Sequence, residues 1–411
     1  MPEITNITTS KAALLGRDFP GIRFEVLVQV GDPVSMGQPL MRDRRRPEVV
    51  FTAPAAGRVS KLSRGPKRSL VSVQIDTAHD AGVTVFDVEA NKGAADVRSL
   101  LLRSGLWTAL RQRPFDIIPD PDGAPSAILV TAMDTEPLAP DPAGIIALQR
   151  DEFIAGVKAL ASLTGAPVFV CKSPGADLPQ VNTANVKPVE FSGPHPAGLP
   201  GTHIRKLCPI GFSSNTPWHI GYQDVISVGF LVNTGRIAPN RIVSIGGPAL
   251  SKPTLCRVTP GGHIGDILEQ VTKEGVTDAI SGSPLNGHRA IGDEAFLGQR
   301  HRQITVSSEA VSGKPWWKTL SLFEITPAGH KSPLIPTTDL DQAALSGILT
   351  VPMMRALLVG DAERARDLGA LELTEEDVAM WGFLCPSKTD YGSLLRKILN
   401  QLQKDQQVVV Q

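Results

Sequence analysis

The stretch that decides the fold is Val28-Gln-Val-Gly31-Asp32-Pro-Val34, followed by Gly37-Gln-Pro-Leu40 and then by Phe51-Thr-Ala-Pro54-Ala-Ala-Gly57-Arg-Val59. Short apolar segments alternate in it with Gly-Asp and Pro-Ala-Ala-Gly turns. Such segments are typical of short strands joined by tight turns. The pattern predicts a small barrel-sandwich domain near the start of the chain.

The tip of the predicted central hairpin lacks the lysine that carries the cofactor in biotinyl and lipoyl carrier domains. It reads Arg42-Asp-Arg-Arg-Arg46-Pro-Glu48. A guanidinium stays protonated near neutral pH and cannot serve as an amine nucleophile. We therefore expect a docking domain. Its basic tip is either a solvated face or a patch that faces an acidic partner or anionic lipid.

The composition is that of a folded, soluble protein. A chain of 411 residues is too long for one core and predicts roughly two to four domains. Lys plus Arg and Asp plus Glu each total 41, so no overall field favours nucleic acid. No apolar run approaches the roughly 18 residues of a membrane span, and we expect no export signal. The four cysteines are isolated from one another and predict reduced thiols.

Strand and helix patterns predict a multi-domain α/β fold with four modules. In chain order they are a barrel-sandwich domain at residues 1–95, a parallel-sheet α/β domain at 96–250, a β-grasp domain at 251–335 and a helical region at 336–411. In the second module, short buried strands at residues 127–131, 167–171 and 241–245 alternate with helical segments such as residues 152–163. This alternation is typical of a parallel sheet that is covered by helices.

The third module has the order strand, turn at Gly261-Gly262, helix and further strands, which suits a β-grasp fold. We expect its helix at residues 264–271 and a later strand at residues 303–307. The last region is helical and charge-patterned. Thr374-Glu-Glu-Asp377 resembles a capping box and predicts the start of a new helix.

Motifs for nucleotide binding and catalysis are missing from the sequence. No Gly-x-Gly-x-x-Gly follows a strand, and no Gly-x-x-x-x-Gly-Lys-[Ser/Thr] occurs. Gly246-Gly247-Pro248 does follow a predicted strand, but Pro248 has no N–H to offer a phosphate. No nucleophile elbow or Cys/His pair is present. We expect no catalytic residue, no cofactor site and no metal site in this chain.

The most unusual loop reads Phe191-Ser-Gly193-Pro-His195-Pro-Ala-Gly198-Leu-Pro-Gly201-Thr-His203. Two histidines between rigid Gly-Pro turns suit a metal site or an acid–base pair. No cysteine or carboxylate lies nearby in sequence to complete either arrangement. We favour a structural loop in which His195 and His203 bond to the backbone and Gly198 and Gly201 permit the turns. An enzyme that uses the two histidines is the alternative.

A further set of motifs runs along nearly the whole chain. They are Arg64-Gly-Pro-Lys-Arg68, Ser104-Gly-Leu-Trp107, Val130-Thr-Ala-Met-Asp-Thr135, Tyr222-Gln-Asp-Val-Ile226 and Cys385-Pro386. Together with the histidine loop, they resemble the A subunits of the bacterial sodium-pumping NADH:quinone oxidoreductases. The resemblance implies the barrel-sandwich and Rossmann-like domains, a β-grasp module of the SLBB type and a helical C-terminal part.

The resemblance also implies a place in a larger complex. The A subunits of this family are peripheral, lie on the cytoplasmic face of the bacterial inner membrane and are seated on the membrane-embedded B subunit. In the family, FAD, FMN, riboflavin and iron–sulfur centres belong to other subunits, and the A subunit carries no redox cofactor. Its implied role is to cap the membrane subunit near the quinone site.

Contact with ubiquinone or with the partner is implied at two segments. The residues concerned are Leu15, Gly16, Phe19, Thr131, Met133, Asp134 and Thr135. The alternative is that only the membrane subunit holds the quinone. A segment usual at the start of the family has no counterpart before Lys11, which favours a second hypothesis. In it, the chain is a stand-alone homologue that acts as a soluble small-molecule-binding protein.

Overall fold

The computed structural model describes residues 3–78, 82–88, 93–210, 215–250, 252–272, 278–307 and 334–409. Within these residues the chain forms four sheets and a C-terminal group of helices. The predicted multi-domain α/β architecture is therefore confirmed. Residues 308–333, at the end of the predicted third module, lie outside the described residues.

The N-terminal part consists of short strands. They are β1 (Ile4–Asn6), β2 (Lys11–Leu15), β3 (Phe24–Val26), β4 (Pro33–Val34), β5 (Pro39–Asp43), β6 (Arg46–Thr52), β7 (Gly57–Arg64) and β8 (Leu70–Thr77). One sheet has the order β2-β8-β7-β4 and another the order β3-β5-β6. Val34, Leu40, Phe51 and Val59, all from the deciding stretch, belong to one buried apolar cluster. The alternation of apolar and polar residues in that stretch thus produces the two-sheet sandwich.

The tip of the β5–β6 hairpin contacts the second module. Arg46 Nη1 donates to the carbonyl oxygen of Ile118 at 2.9 Å, and Arg46 Nε pairs with Asp43 Oδ2 at 3.1 Å. Arg42 forms a partly exposed ion pair with Glu25 at 3.0 Å. Two of the basic residues at the tip therefore have partners inside this chain.

In its described residues, the second module has a five-stranded sheet and five α-helices. Its strands are β9 (Arg111–Gln112), β10 (Ile128–Thr131), β11 (Val168–Lys172), β12 (Val186–Glu190) and β13 (Trp218–Gly221). Its helices are α1 (Ala94–Ser104), α2 (Pro142–Leu148), α3 (Arg150–Leu163), α4 (Pro200–Leu207) and α5 (Tyr222–Thr234). The sheet order is β12-β11-β10-β13-β9, in which β9 alone is antiparallel to its neighbour.

Two glycines let helices α3 and α5 approach closely. A Cβ atom on Gly229 would lie 1.7 Å from the Glu152 carbonyl oxygen, and one on Gly156 would lie 2.0 Å from the Val225 carbonyl oxygen. Any larger residue at these positions would force the helices apart. The predicted βαβ arrangement is therefore built around a tight helix pair on one face of the sheet.

The third module differs from one prediction. Its strands and helix are β14 (Arg241–Gly246), β15 (Thr254–Val258), α6 (Ile264–Val271), β16 (Asp278–Ser281), β17 (His288–Arg289) and β18 (Gln303–Ser307). The prediction that residues 241–245 belong to the Rossmann-like sheet is wrong, because β14 pairs with β15 and β18. A short apolar strand fits either sheet, so its pattern could not decide between them.

The third sheet has the order β1-β15-β14-β18-β16-β17. Strand β1 comes from the start of the chain and pairs in parallel with β15. The N-terminal residues therefore tie the first and third modules together. The helix and last strand predicted for this module, at residues 264–271 and 303–307, are confirmed by α6 and β18.

The C-terminal region is helical, as predicted. It contains α7 (Thr338–Gln342), α8 (Thr350–Val359), α9 (Ala362–Asp367), α10 (Glu375–Leu384) and α11 (Tyr391–Val409). A separate apolar core, which includes Trp381, Leu395 and Leu399, holds these helices together. The capping box of Thr374 and Asp377 starts α10, as the sequence predicts. Across the described residues, no helix is both long and apolar enough to cross a bilayer.

Candidate functional site

The main candidate site is a cavity of about 310 Å³ where all four modules meet. Asp18 lines it from the first module, Thr131 from the second, Arg302 from the third and Glu376 from the helical region. The cavity lies at the carboxyl ends of β10 and β13. Since β11 and β12 lie on one side of β10 and β13 on the other, this is the point where the strand order reverses. Ligands of open α/β sheets bind at this position.

Arg111 is the most deeply buried cation of the cavity wall, with 1% of its surface exposed. It lies on β9, and its Nη2 donates to the carbonyl oxygen of Asp18 at 2.7 Å. Its guanidinium lies 5.9 Å from the centre of the Phe19 ring. Burial, and then the charge of Arg300, lower the pKa of Arg111 to about 10. The group is still a cation at neutral pH.

Asp116 is the centre of an ion-pair cluster beside Arg111. Its Oδ1 is 2.8 Å from His219 Nε2, and its Oδ2 accepts from Arg300 Nη1 at 3.1 Å. Burial raises the pKa of Asp116, but Arg300 and the His219 hydrogen bond outweigh it and hold that pKa well below its ordinary value. Burial lowers the pKa of His219, although Asp116 opposes this. The charges of Asp116 and Arg300 therefore neutralise each other within this wall of the cavity.

Asp134 and Glu136 form the acidic side of the cavity. Asp134 Oδ2 accepts from Arg302 Nη1 at 3.3 Å, and Glu136 Oε1 accepts from Asn286 Nδ2 at 2.8 Å. Burial, Asp134 and Glu376 raise the pKa of Glu136 to about 8. Burial also raises the pKa of Asp134. At neutral pH, Glu136 is therefore largely protonated and can act as a hydrogen-bond donor.

The histidine loop packs against the end of the segment at residues 130–135. Thr135 Oγ1 accepts from the Gly198 N–H at 2.9 Å and lies 3.3 Å from His195 Nδ1. His203 Nε2 donates to the Ala197 carbonyl oxygen at 3.1 Å. Burial is the largest cause that lowers the pKa of both histidines to about 4. Both are neutral at pH 7, and the two side chains bond to different partners.

The first segment expected to contact quinone is mostly buried. Leu15 is fully buried and ends strand β2, and a Cβ atom on Gly16 would lie 2.1 Å from the Leu70 carbonyl oxygen. Phe19 is 2% exposed, with its ring centre 4.5 Å from that of Phe51. Phe19 and Phe51 line a second, smaller and mainly apolar cavity of about 100 Å³.

The second segment divides between the cavity and the core. Thr131 and Asp134 line the larger cavity, whereas Met133 is 3% exposed in an apolar cluster. Thr135 contacts the histidine loop instead. Asp18, between Gly16 and Phe19, lines both cavities. The fold thus brings the two segments to neighbouring cavities but not into one set of facing side chains.

Several residues of the larger cavity were missed by sequence reasoning. They are Arg111, Asp116, Glu136, His219, Arg300 and Arg302. The one available signal was the Arg300-His301-Arg302 run directly before an apolar strand. Three large, basic residues at the edge of a buried strand need partners, so their presence indicates a polar site.

Gly247 lies in the glycine pair that the sequence places after the strand at residues 241–245. Gly247 follows β14 with a φ of +133°, and a Cβ atom there would lie 2.2 Å from the Val306 carbonyl oxygen. This glycine therefore permits close packing against β18. Among the described residues, no group of three His, Cys, Asp or Glu side chains is arranged to hold a metal ion.

Comparison with known proteins identifies the modules. Residues 2–78 match the family model described as "NqrA N-terminal barrel-sandwich hybrid domain". Residues 92–237 match "NqrA second alpha/beta domain", and residues 242–291 match "NQRA C-terminal domain". The fold and the cavity at its centre thus define a multi-domain protein with barrel-sandwich, α/β and SLBB-type modules.

The curated relatives give a more specific assignment. The chain is 40% identical to the A subunit of the Na(+)-translocating NADH-quinone reductase of Neisseria meningitidis, over 98% of this chain and 95% of the relative. It is 40% identical to the proteins of the same name from Shewanella amazonensis and Vibrio parahaemolyticus. Those matches cover 96% and 97% of this chain and 93% and 94% of the relatives, respectively. The chain belongs to the family of Na(+)-translocating NADH-quinone reductase A subunits.

A solved structure of an NAD+-reducing [NiFe]-hydrogenase is a more distant match. It covers 76% of this chain and 67% of its own, with 13% identity and a TM-score of 0.43.

Proposed function

We propose that this chain is a peripheral component of a sodium-pumping NADH:quinone oxidoreductase, on the cytoplasmic face of the bacterial inner membrane. It caps a membrane protein that resembles the B subunit of the family and forms part of the surroundings of the quinone site. The observation that carries the proposal is the 40% identity along nearly the whole length of relatives named as the A subunit. Similarity that extends through every module favours a retained role in a complex.

We also propose that this chain itself holds no redox cofactor. FAD, FMN, riboflavin and the iron–sulfur centres then belong to partner subunits. Two observations support this. The described residues contain no metal-binding group, and Gly247, directly after β14, packs against Val306 of β18. Burial raises the pKa of Cys171 and of Cys256, so both thiols stay protonated and are poor metal ligands.

Quinone contact is proposed at the two segments expected from the sequence. The Phe19 side suits the quinone ring better, because the smaller cavity is lined mainly by apolar groups such as Leu14, Phe51 and Leu106. A quinone ring is apolar, with oxygen acceptors at its edges, and such ligands favour apolar walls with few polar groups. Thr131 and Asp134 line the charged cavity, which suits a more polar ligand.

Purification of the tagged chain from detergent-solubilised membranes tests assembly. We expect the membrane subunit to co-purify in equal amount, with flavin and iron recovered only in the complex. Recovery of this chain only as a free protein would contradict the proposal and favour the stand-alone binding protein. Stoichiometric flavin or iron in the separated chain would contradict the assignment of all cofactors to the partners.

Substitution of Phe19 tests quinone contact. Phe19→Leu in the assembled complex should raise the apparent KM for ubiquinone-1 several-fold and leave electron transfer from NADH to a flavin-level acceptor unchanged. Phe24→Leu is the matched control. Phe24 packs on the same aromatic pair, with its ring centre 5.2 Å from that of Phe51, but does not line the cavity. Equal KM values for both variants and the wild type would reject quinone contact at Phe19.

A further inference from the structure

Two buried polar groups at the larger cavity have no hydrogen-bond partner within the described part of the chain. One is Arg111 Nε, and the other is Thr131 Oγ1. Both residues line the cavity, and both are at least 98% buried. Most buried polar groups have a hydrogen-bond partner, and these two lie at the same cavity.

Arg111 also differs from the neighbouring arginines because it has no direct ion-pair partner within the described residues. Arg300 pairs with Asp116, and Arg302 pairs with Asp134. Among the described residues, Arg111 has no carboxylate within ion-pair distance, and its one hydrogen bond goes to a backbone carbonyl. The Asp116 and Asp18 carboxylates raise the pKa of Arg111, but only from beyond that distance. A buried guanidinium without a direct counter-ion is unfavourable. An anionic group bound beside Arg111 would remove this penalty.

Thr131 stands where ligands of such sheets bind. It is the last residue of β10, and Gly221, which also lines the cavity, ends the neighbouring strand β13 and precedes helix α5. The 13-residue helix α5 has no side-chain hydrogen bond at its N-cap. Its N-terminus adds a positive partial charge at the cavity.

We propose that this cavity binds a small molecule through a carboxylate or phosphate group, with Arg111 as the counter-ion and Thr131 as a hydrogen-bond donor. A cavity of about 310 Å³ is at the lower end of the size range of ligand pockets and holds a small metabolite. The guanidinium fork suits both kinds of oxyanion. Asp134 is paired with Arg302 and Glu136 is largely protonated, so these two groups oppose an anion weakly. Three other carboxylates at the cavity also have arginine partners, namely Asp224 with Arg241, Glu375 with Arg396 and Glu376 with Arg300.

The site is independent of the proposed place in the membrane complex, and the purified full-length chain is sufficient to test it. Isothermal titration with inorganic phosphate and, separately, with succinate at constant ionic strength measures the two kinds of oxyanion. We expect one site per chain for at least one probe. Binding of phosphate alone assigns a phosphate ligand, and binding of succinate alone assigns a carboxylate. Absence of binding by both probes would overturn the proposal.

Substitutions of Arg111 and Thr131 test whether these two residues bind the anion. Arg111→Met should weaken binding at least about tenfold, as for the loss of a charge-assisted hydrogen bond. Arg111→Lys, which keeps the charge but not the fork, should weaken it less. Thr131→Val should weaken binding about threefold to tenfold. The free chain loses no hydrogen bond in this variant, because that hydroxyl has no partner within the described residues.

Thr350→Val is the matched control for Thr131→Val. Thr350 Oγ1 is likewise buried and has no partner in the described part of the chain, but it lies in helix α8, away from the cavity. We expect wild-type binding from this variant. If Arg111→Met does not fold, Thr131→Val decides the outcome. Equal binding by Thr131→Val and the wild type would then overturn the proposed site.

Discussion

Arg113 and Asp377 form an ion pair in which both side chains are 1% exposed, with Arg113 Nη1 3.4 Å from Asp377 Oδ2. The pair joins the second module to the start of helix α10. Asp377 Oδ2 also accepts from the Thr374 backbone N–H at 2.8 Å, which completes the capping box. Burial raises the pKa of Asp377, and Arg113 opposes this. One carboxylate thus both caps a helix and docks it.

Loss of this carboxylate should loosen the helical region. Asp377→Asn keeps an oxygen for the capping bonds but removes the nearer of two carboxylates from Arg113, whose Nε also lies 3.9 Å from Asp116 Oδ1. Because Asp116 stays in place, we expect a loss of at most about 3 kcal/mol, the usual effect of removing one partner from a buried pair. Amide hydrogen exchange in α10 and α11 measures this as a faster local opening.

Asp367→Asn is the matched control for this change. Asp367 pairs with Arg366, but both side chains are about half exposed. An exposed pair contributes at most about 1 kcal/mol, so exchange in α10 should stay close to that of the wild type. Equal protection in the two variants would show that the buried pair does not dock the helix.

The glycines of the histidine loop should be intolerant of alanine. A Cβ atom on Gly201 would lie 2.2 Å from Asp377 Oδ1, and one on Gly198 would lie 2.6 Å from the Thr135 backbone nitrogen. Gly201→Ala and Gly198→Ala should each lower the free energy of unfolding by about 1–3 kcal/mol, because the neighbours must shift. Gly165→Ala, where no atom lies within 4 Å, is the control and should change it by less than about 1 kcal/mol. Urea unfolding of the three variants tests this, and equal midpoints would contradict it.

Local elements were predictable because their signals lie within a few neighbouring residues. Helix α6 begins and ends at the predicted residues, and the capping box of Thr374 and Asp377 starts α10. Each depends on periodicity or on a fixed spacing of a few positions. The barrel-sandwich was predictable for the same reason, since its turn residues define the strand ends.

Long-range pairings could not be predicted in the same way. Strand β1 is only three residues long, and its partner β15 lies about 250 positions further along the chain. Arg111, Asp116 and Arg300 meet only because the second and third modules close on each other. Each is an ordinary polar residue in sequence, and its burial becomes visible only in the fold. Apart from Thr131 and Asp134, which belong to the segment at residues 130–135, the residues of the cavity therefore had no sequence motif.

His203 should make the chain less stable in mild acid. Its pKa is about 4 in the folded chain, mainly because of burial, against an ordinary value of 6.5. Below pH 6.5 the unfolded chain binds a proton that the folded chain does not, so stability falls as the pH decreases toward 4. Between pH 6.5 and 5 this histidine accounts for a loss of about 1.5 kcal/mol.

His203→Gln should remove this part of the pH dependence. The glutamine amide can still donate to the Ala197 carbonyl oxygen, which accepts from Nε2 at 3.1 Å. We expect the stability difference between wild type and variant to shift in favour of the variant as the pH is lowered from 7 to 5. Titration of the His203 ring by NMR gives an independent check. A midpoint near pH 6.5 would contradict the prediction.

Glu136, in contrast to His203, should make the chain less stable as the pH rises. Its pKa is about 8 in the folded chain, against an ordinary value of 4.5. Between these values the folded chain keeps a proton that the unfolded chain releases. The contribution of protonated Glu136 to the free energy of unfolding is therefore fully present below pH 4.5, and it is lost as the pH rises toward 8. The slope is at most about 1.4 kcal/mol per pH unit.

Glu136→Gln should flatten this slope, because the amide is neutral at every pH and can still accept from Asn286 Nδ2. Urea unfolding at pH 6, 7 and 8 should show the variant gaining stability relative to the wild type at each step. Glu363→Gln is the control, since Glu363 is exposed on α9, away from the cavity. That variant should follow the wild-type curve. A Glu136→Gln curve parallel to the wild type would show that Glu136 is already ionised in the folded chain, and would remove the protonated donor from the acidic side of the cavity.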